Sequence, residues 1–594
     1  MTKPNCEKLD AVTVEVLRNA FNAIADDMNA VLGRSAYSPV IYEMHDYGVA
    51  VFDEDGRTLG QSPGHPGFIG GLDWGVQAVL EKFGQLGIHS GDAFVINDSY
   101  VTGGHLSDVD VIIPIFYKND LVAFASSRAH WLDIGTAEPG FPVNTTSIFQ
   151  EGLRLGATRI VAEGRWVDDV VDIMRWNTRM PKVLFGDLNA QVAAGRMAQR
   201  RFVDLIDRFG RKMVIRAIEQ IYRDTETVVR AFVSQIPDGV YRAEGDSDDD
   251  FVTGNRIRVV VTVTVSGSSL TVDTTGSSPQ ATSGVNSGYA NTVSAARLAL
   301  MFLLPDPNPH VNYGSFVPLH VIAESGSIFA ATEPAACMHP HPVMIMLDLV
   351  IKALAPVIPD CVAAGLPGDS WNVFVLGDNP ATGEPFISGE SLVGGWGANS
   401  KASGESAIIH SLGGDFRNVP VETLEARYPV RIRRLCLGTD SGGAGTFRGG
   451  LNLVKEYEIL TDSRLTLHFD RTKTPQWGLF GGADGATPNV SVAPRPDVPP
   501  ISYSKVEQLA LPAGARIMAM TGGGGGFGHA LERNPEAVLH DVRCGYVSRE
   551  AAESVYGVGL SEDARQIDTA KTDSLRRQLR ESDEATQPSQ QPPD

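Results

Sequence analysis

The chain has 594 residues, of which 43% are hydrophobic and 20% charged. It is longer than one hydrophobic core can serve, so several domains are expected. A formal net charge of −21 excludes nucleic acid and anionic membrane as natural partners. Five scattered cysteines (Cys6, Cys337, Cys361, Cys436, Cys544), with no C-x-x-C, exclude a disulfide framework and a thiolate zinc site.

The first residues, Met1-Thr-Lys-Pro-Asn-Cys-Glu, hold no apolar core of a signal peptide. No run of about 18 apolar residues lacks a charge. No membrane span and a cytoplasmic location are therefore expected. Residues 10–35 carry Leu17, Phe21, Ile24, Met28 and Val31 at spacings of three and four, which predicts an amphipathic helix. Asp10 is its expected N-cap, and Gly33 with Pro39 marks its exit. A hairpin follows over Tyr47-Gly-Val-Ala-Val-Phe-Asp, with its turn at Asp55-Gly56, then a helix over about 73–84 and a strand over 92–97.

Two half-motifs come next, His105-Leu-Ser-Asp108 and His130-Trp-Leu-Asp133. Between them lie two apolar runs joined at Asn119-Asp120, which predicts a tight β-hairpin. Antiparallel pairing about that turn sets Asp108 opposite His130 and brings His105 near Asp133. Two imidazoles and at least one carboxylate then meet at one hairpin end. That donor set suits a divalent transition metal: zinc, manganese or iron. Gly103-Gly104 permits unusual backbone or close approach beside His105. Pro114 predicts a sheet edge or a bulge. Asp46, after Glu43-Met-His45, is a further ligand or an acceptor behind a ligating imidazole.

Residues 167–234 are helical in pattern, and Pro237-Asp-Gly239 closes them. The pattern is β over 240–275, helical over 289–304 and 341–356, and dominated by glycine and short β-like runs from about 385. The chain from about 565 is polar, ends Thr586-Gln-Pro-Ser-Gln-Gln-Pro-Pro-Asp594, and is expected to be disordered. No internal repeat is visible. His339-Pro-His341 could place two imidazoles on one side of an extended segment, but prolines and a following helix favour a helix start. Asp273-Thr-Thr-Gly-Ser-Ser lacks the Gly-Lys-Ser/Thr of a phosphate loop and reads as a turn. The glycines of 522–528 open no dinucleotide-type helix. Ser406 and His410 have no nucleophile elbow around them.

Longer strings carry a resemblance. They include Asp10-Ala-Val-Thr-Val-Glu-Val-Leu-Arg-Asn-Ala, Gly103-Gly-His-Leu-Ser-Asp-Val and Gln150-Glu-Gly-Leu-Arg. Asn418-Val-Pro-Val-Glu-Thr-Leu-Glu-Ala-Arg-Tyr-Pro-Val, Asp440-Ser-Gly-Gly-Ala-Gly-Thr-Phe-Arg-Gly-Gly-Leu and Trp477-Gly-Leu-Phe-Gly-Gly continue it. From about Asp10 to Gly557 the chain resembles the hydantoinase B / 5-oxoprolinase family. The resemblance implies a mixed α+β, multidomain fold with largely antiparallel sheets and flanking helices. It implies metal ligands at His105, Asp108 and His130 and a further contact at Asp46. It also implies a hetero-oligomer in which ATP is bound by a hydantoinase A-like partner subunit. Met44-His45, Gly48 and 403–417 depart from the usual family pattern, and these positions bear on the substrate.

The resulting reading has four parts: a metal-binding α+β domain over 1–239, a central α/β region over 240–384, a glycine-rich β region over 385–560 and a disordered tail over 561–594. The expected activity is ATP-dependent opening of a cyclic amide such as a hydantoin, 5-oxoproline or a lactam. The partner phosphorylates the amide, and this subunit completes hydrolysis, with Asp46 and Asp133 orienting a ligand or accepting a proton. A subunit of an ATP-dependent ketone carboxylase of the acetone or acetophenone type is the alternative. A scaffold subunit with a closed, structural metal is a third reading.

Overall fold

Seven strands from the first 166 residues form one antiparallel sheet. They are β1 (Tyr47–Asp53), β2 (Thr58–Gln61), β3 (Ala93–Ile96), β4 (Asp108–Tyr117), β5 (Asp120–His130), β6 (Thr158–Ala162) and β7 (Arg165–Trp166), in the order β2-β1-β5-β4-β3-β6-β7. The computed structural model describes residues 9–305 and 310–586. Successive side chains of a strand point to opposite faces, and helices cover both faces here. The Ala11–Ser35, Pro181–Phe209 and Arg211–Val233 helices pack over Val49, Val51, Ile115, Ala123 and Ala125. The Leu72–Phe83 helix packs over Ala50, Phe52, Phe94, Ile112 and Phe124. Double coverage explains why these strands read as nearly continuous apolar runs.

The first helix forms as its spacing predicts. Asp10 Oδ1 accepts the Thr13 N–H at 2.9 Å, and Leu17, Phe21, Ile24, Met28 and Leu32 are buried. It runs on to Ser35 rather than stopping at Gly33. Gly33 serves a close approach instead: a Cβ there would sit 2.7 Å from the Tyr47 hydroxyl. The β4–β5 hairpin turns at Lys118-Asn119 and pairs Asp108 with His130, the register the sequence predicts. Pro114 lies beyond the last residue of β4 that pairs with β3, and a register irregularity follows at Ile115/Phe116. Its missing N–H therefore costs no ladder bond to β3.

A second sheet, in the order β11-β10-β9-β8, comprises β8 (Gly239–Ser247), β9 (Ile257–Ser266), β10 (Ser269–Asp273) and β11 (Leu319–Ile322). Its β10–β11 pair is parallel and its other pairs antiparallel. The Tyr289–Leu303 and Pro342–Leu354 helices bury Ala295, Ala299, Ile345 and Leu349 against Val259, Val261 and Val263. The segment after β10 is a turn, as expected, with the Thr275 N–H donated to Asp273 Oδ1 at 2.8 Å.

Nine strands follow: β12 (Asn372–Asp378), β13 (Pro385–Ser391), β14 (Val430–Leu437), β15 (Leu453–Ile459), β16 (Ser463–His468), β17 (Asn489–Ala493), β18 (Ile501–Tyr503), β19 (Lys505–Leu511) and β20 (Arg516–Met520). They form two antiparallel sheets, β13-β12-β16-β19 and β14-β15-β20-β17-β18. Val373, Val375, Leu465 and Leu467 of the first share a core with Tyr457, Ile459, Val490 and Ile517 of the second.

The glycine runs of this region build a body of their own. Gly395, Gly443, Gly450, Gly524 and Gly526 donate main-chain N–H groups to Gly522, Gly524, Trp396, Gly450 and Ala483 respectively, at 2.8–3.0 Å. A Cβ on Gly524 would lie 1.9 Å from the Trp396 carbonyl oxygen, and one on Gly450 1.9 Å from that of Glu405. Backbones approach here at a distance that only glycine allows. The chain from about 565, expected to be disordered, instead carries a helix over Thr569–Thr586. Long-range contacts hold it where composition would not: Arg576 donates to the Arg533 carbonyl at 2.6 Å, and Lys571 pairs with Glu553 at 2.7 Å. Residues 587–594 lie outside the described residues. Cys337, Cys361, Cys436 and Cys544 are free thiols. No helix among the described residues is long and apolar enough to cross a membrane.

Candidate functional site

Strand order brings the site together. β1, β5 and β4 are neighbours, paired Tyr47↔Ala129 and Asp108↔His130. Asp46 precedes β1 by one residue, and its carbonyl accepts the His130 N–H at 3.1 Å. Asp46, His130 and Asp108 therefore stand in one row across three strand ends, where side chains share a face. His105 joins them from the turn before β4, in which the Asp108 N–H is donated to the His105 carbonyl at 2.9 Å. The glycines before it are needed. Gly103 has φ 90°, and a Cβ on Gly104 would lie 2.5 Å from Asp108 Oδ2.

His105 Nε2 lies 3.4 Å from Asp108 Oδ1, and His130 Nδ1 lies 3.6 Å from the same oxygen. Ligand atoms of His105, Asp108 and His130 all fall within 4.8 Å of one another. Asp46 Oδ2 is 3.9 Å from His130 Nδ1. Asp108 Oδ1 and Asp46 Oδ1 are buried without a hydrogen-bond partner. Buried carboxylate oxygens left without a donor beside two imidazoles fit a divalent cation, and nitrogen and oxygen donors without thiolate suit zinc, manganese or iron.

Burial pushes Asp46 up to about 7, with the Asp108 charge adding to the rise. Burial also lowers His105 to about 3, keeping the imidazole neutral. Burial works against ionisation of Asp108, but His105 and His130 outweigh it and hold the carboxyl below its usual range. On His130, burial is outweighed by Asp108 and Asp46, and its value is raised.

A cavity of about 130 Å³ opens over this group. Its polar end carries Asp46, His65, His105, Asp108 and His130, and Val40, Met44, Leu132, Phe141, Phe374, Ile387, Leu412 and Phe416 form apolar wall. His65 Nδ1 accepts the Phe68 N–H at 3.3 Å, which leaves Nε2 facing Asp46 Oδ1 at 3.9 Å. His339, His341 and His410 also line the cavity. His339 Nε2 meets Asp369 Oδ1 at 3.1 Å, and the other Asp369 oxygen accepts the Asp470 N–H at 2.7 Å.

The cluster predicted from the hairpin is present, with one displacement. Asp133 is not brought to His105. Beyond His130 the chain bends away, and the Asp133 carboxylate binds Arg179 Nη1 at 2.7 Å, the Arg179 N–H and the Thr178 hydroxyl. Asp133 does not line the cavity. His339-Pro-His341 behaves as a helix start, with His341 the N-cap residue of Pro342–Leu354. Its two imidazoles serve different aspartates, since His341 Nε2 lies 3.4 Å from Asp470. Ser406 Oγ accepts the Leu451 N–H at 3.0 Å, a structural role. Of the departures noted in the sequence, Met44 lines the cavity, as do His410, Leu412 and Phe416 from 403–417. His45 instead pairs with Asp415 at 2.9 Å. Gly48 packs beneath the Pro66–Ile69 turn of helix, where a Cβ would lie 2.7 Å from Ile69. Sequence reasoning missed His65, Asp369 and the cavity-facing role of His339 and His410.

Residues 10–530 match the family described as Hydantoinase B/oxoprolinase. The chain is 32% identical over 592 residues to a protein of Pseudomonas sp. (strain NS671) named as a "Putative D-/L-hydantoinase" subunit, covering 96% of this chain and 98% of that one. It is 30% identical over 588 residues to the beta chain of the caprolactamase of Pseudomonas jessenii, covering 96% and 99%. The crystal structure of the ATP-dependent caprolactamase from that organism matches with a TM-score of 0.89 at 29% identity, over 96% of this chain and 100% of that one. A nucleotide-free acetone carboxylase matches with a TM-score of 0.88 at 19% identity, over 98% and 85%, and so shares the fold. The mixed α+β architecture, the row of strand ends and these likenesses agree: the chain belongs to the hydantoinase B/oxoprolinase family.

Proposed function

We propose that this chain is the metal-holding subunit of an ATP-dependent cyclic-amide hydrolase. The observation that carries this reading is the convergence of His105, Asp108 and His130 within 4.8 Å at the polar end of a cavity. Membership of a family whose relatives include a hydantoinase subunit and a caprolactamase subunit supports it. A hydantoinase A-like partner would bind ATP and phosphorylate the amide oxygen, making the ring carbon electrophilic.

His105, Asp108 and His130 would hold the cation, which when bound supplies Lewis acidity and a more acidic water. The chain's own groups do the rest. Asp46 faces the same space and is held near neutrality by burial, which suits a carboxylate that takes a proton from attacking water. As the carbon–nitrogen bond breaks, the proton passes from Asp46 to the leaving nitrogen, and a second water then hydrolyses the acyl phosphate left behind, releasing phosphate and the ring-opened carboxylate. His65 stands beside that carboxylate, with Nε2 3.9 Å from Asp46 Oδ1. The apolar wall holds the ring and limits bulk water. Asp133, bound to Arg179, has no part in this scheme.

The test is co-expression with the partner and measurement of ATP-dependent ring opening of hydantoins and lactams, with and without bicarbonate. Ring opening that does not need bicarbonate is expected. Turnover of a ketone only when bicarbonate is present would replace this reading with the carboxylase one.

A further inference from the structure

The cavity that holds the proposed ring-opening chemistry also selects among rings. Arg128 is the one Lys or Arg side chain lining it among the described residues. Its charge is already met, because Nε and Nη2 grip Asp110 at 2.5 and 2.9 Å in a buried two-point pair. His341 is also committed, with Nε2 against Ser247 and Asp470 and Nδ1 against the His339 carbonyl. His339 gives Nε2 to Asp369. The anions of the lining are Asp46, Asp108 and Glu390, and Glu390 is neutralised by Lys455 at 2.7 Å. A divalent cation at the proposed site would be balanced by Asp46 and Asp108, leaving no surplus positive charge.

Most of the remaining wall is apolar, with Val343, Met344, Phe374, Ile387, Leu412 and Phe416. Its neutral polar groups include Ser370, Asn372 and Ser391, which hydrogen-bond to one another, and the His410 imidazole, none of which brings a cation. Asn291 lines the cavity, and its side-chain amide has no hydrogen-bond partner among the described residues. A free amide presents one donor face and one acceptor face, the complement of a ring amide. A carboxylate placed against this wall would lose its water and gain no cation.

We infer that the site is built for uncharged cyclic amides with apolar ring substituents and rejects rings that carry a carboxylate. This rests on the ring-opening reading above and names its substrate class.

Calorimetric titration of the full zinc-loaded chain, together with the subunit it purifies with, tests the inference. Two matched pairs serve as probes: 2-pyrrolidinone with 5-oxoproline, and 5-methylhydantoin with hydantoin-5-acetic acid. The uncharged member of each pair should bind about 100-fold more tightly, the scale of an unpaired buried charge. Equal or tighter binding of the carboxylated members would overturn the inference and leave the ring-opening reading standing. Failure of all four to bind would remove both. In Met344→Arg, 5-oxoproline should gain on 2-pyrrolidinone at least about tenfold, on the order expected of a new charge pair. An unchanged ratio in a folded M344R protein would also count against the inference.

Discussion

Asp46 and His130 are joined twice. The Asp46 carbonyl accepts the His130 N–H at 3.1 Å, and the Asp46 carboxylate lies 3.9 Å from His130 Nδ1. The main-chain bond fixes where the carboxylate stands, so a change of its chemistry need not move the strand. Asp46→Asn should therefore fold normally. It should weaken metal binding by about 10–100-fold and lower turnover at saturating metal by about 10²–10⁴-fold. Equilibrium dialysis with metal analysis and steady-state assays measure the two effects separately.

His105 and His130 approach Asp108 from two different backbone segments. Removal of either imidazole leaves at most one nitrogen donor in the cluster. His105→Ala and His130→Ala should each be purified nearly metal-free while wild type retains about one ion per chain. Full occupancy in both variants would show that the ion sits elsewhere.

Glu151 lies outside the cavity and supplies a pH test. Its carboxylate accepts the Cys337 N–H at 2.9 and 3.0 Å and the Thr145 hydroxyl at 2.8 Å. Burial pushes it up to about 8 from 4.5, beyond what these donors recover. A carboxyl whose folded value is raised binds more protons folded than unfolded. Stability then falls as pH rises from about 4.5 to about 8, by an amount on the order of several kcal/mol. Urea midpoints of wild type should decline between about pH 5.5 and pH 8, and Glu151→Gln should flatten that decline.

Arg128 on β5 and Asp110 on β4 face each other as a buried pair, two residues from His130 and Asp108. Removal of one partner strands the other charge in the core. Asp110→Asn and Arg128→Met should each cost about 3–5 kcal/mol in urea denaturation. The double variant should cost less than the sum of the two.

Gly524 stands where a side chain cannot, with the Trp396 carbonyl 1.9 Å from the position of a Cβ. Gly524→Ala should destabilise by at least about 3 kcal/mol or prevent folding altogether. Gly545 is the opposite case. It follows the Pro535–Arg543 helix with φ 74°, its N–H is donated to the Val542 carbonyl, and nothing lies within 4 Å of a Cβ built there. Gly545→Asn should cost less than about 1 kcal/mol, because Asn accepts the left-handed position after a helix. Urea unfolding of the two variants side by side checks the contrast.

What was legible in the sequence was local. Alternation and one turn set the β4–β5 register, and with it the Asp108–His130 pair. Periodicity placed the Ala11–Ser35, Leu72–Phe83 and Tyr289–Leu303 helices almost to the residue. Asp133 was misplaced because hairpin arithmetic assumes that strands continue, whereas the chain turns towards Arg179 after β5. His65 was hidden in Pro63-Gly-His-Pro-Gly67, which reads as a loop until the Asp46 carboxylate is seen 3.9 Å away. Asp369 and His339 are 30 residues apart and belong to separate patterns. The Thr569–Thr586 helix has little apolar surface to announce it, and its anchors Arg533 and Glu553 lie upstream.

The glycine body has a thermodynamic signature as well as a steric one. It is knit by main-chain bonds between segments that have almost no side chains to shelter from water. Its melting would expose peptide groups rather than hydrocarbon, and the two change heat capacity in opposite directions. Calorimetry of this chain should give a heat-capacity increment per residue below that of ordinary domains of comparable size. Warming should then erode the glycine-rich part less steeply than its neighbours.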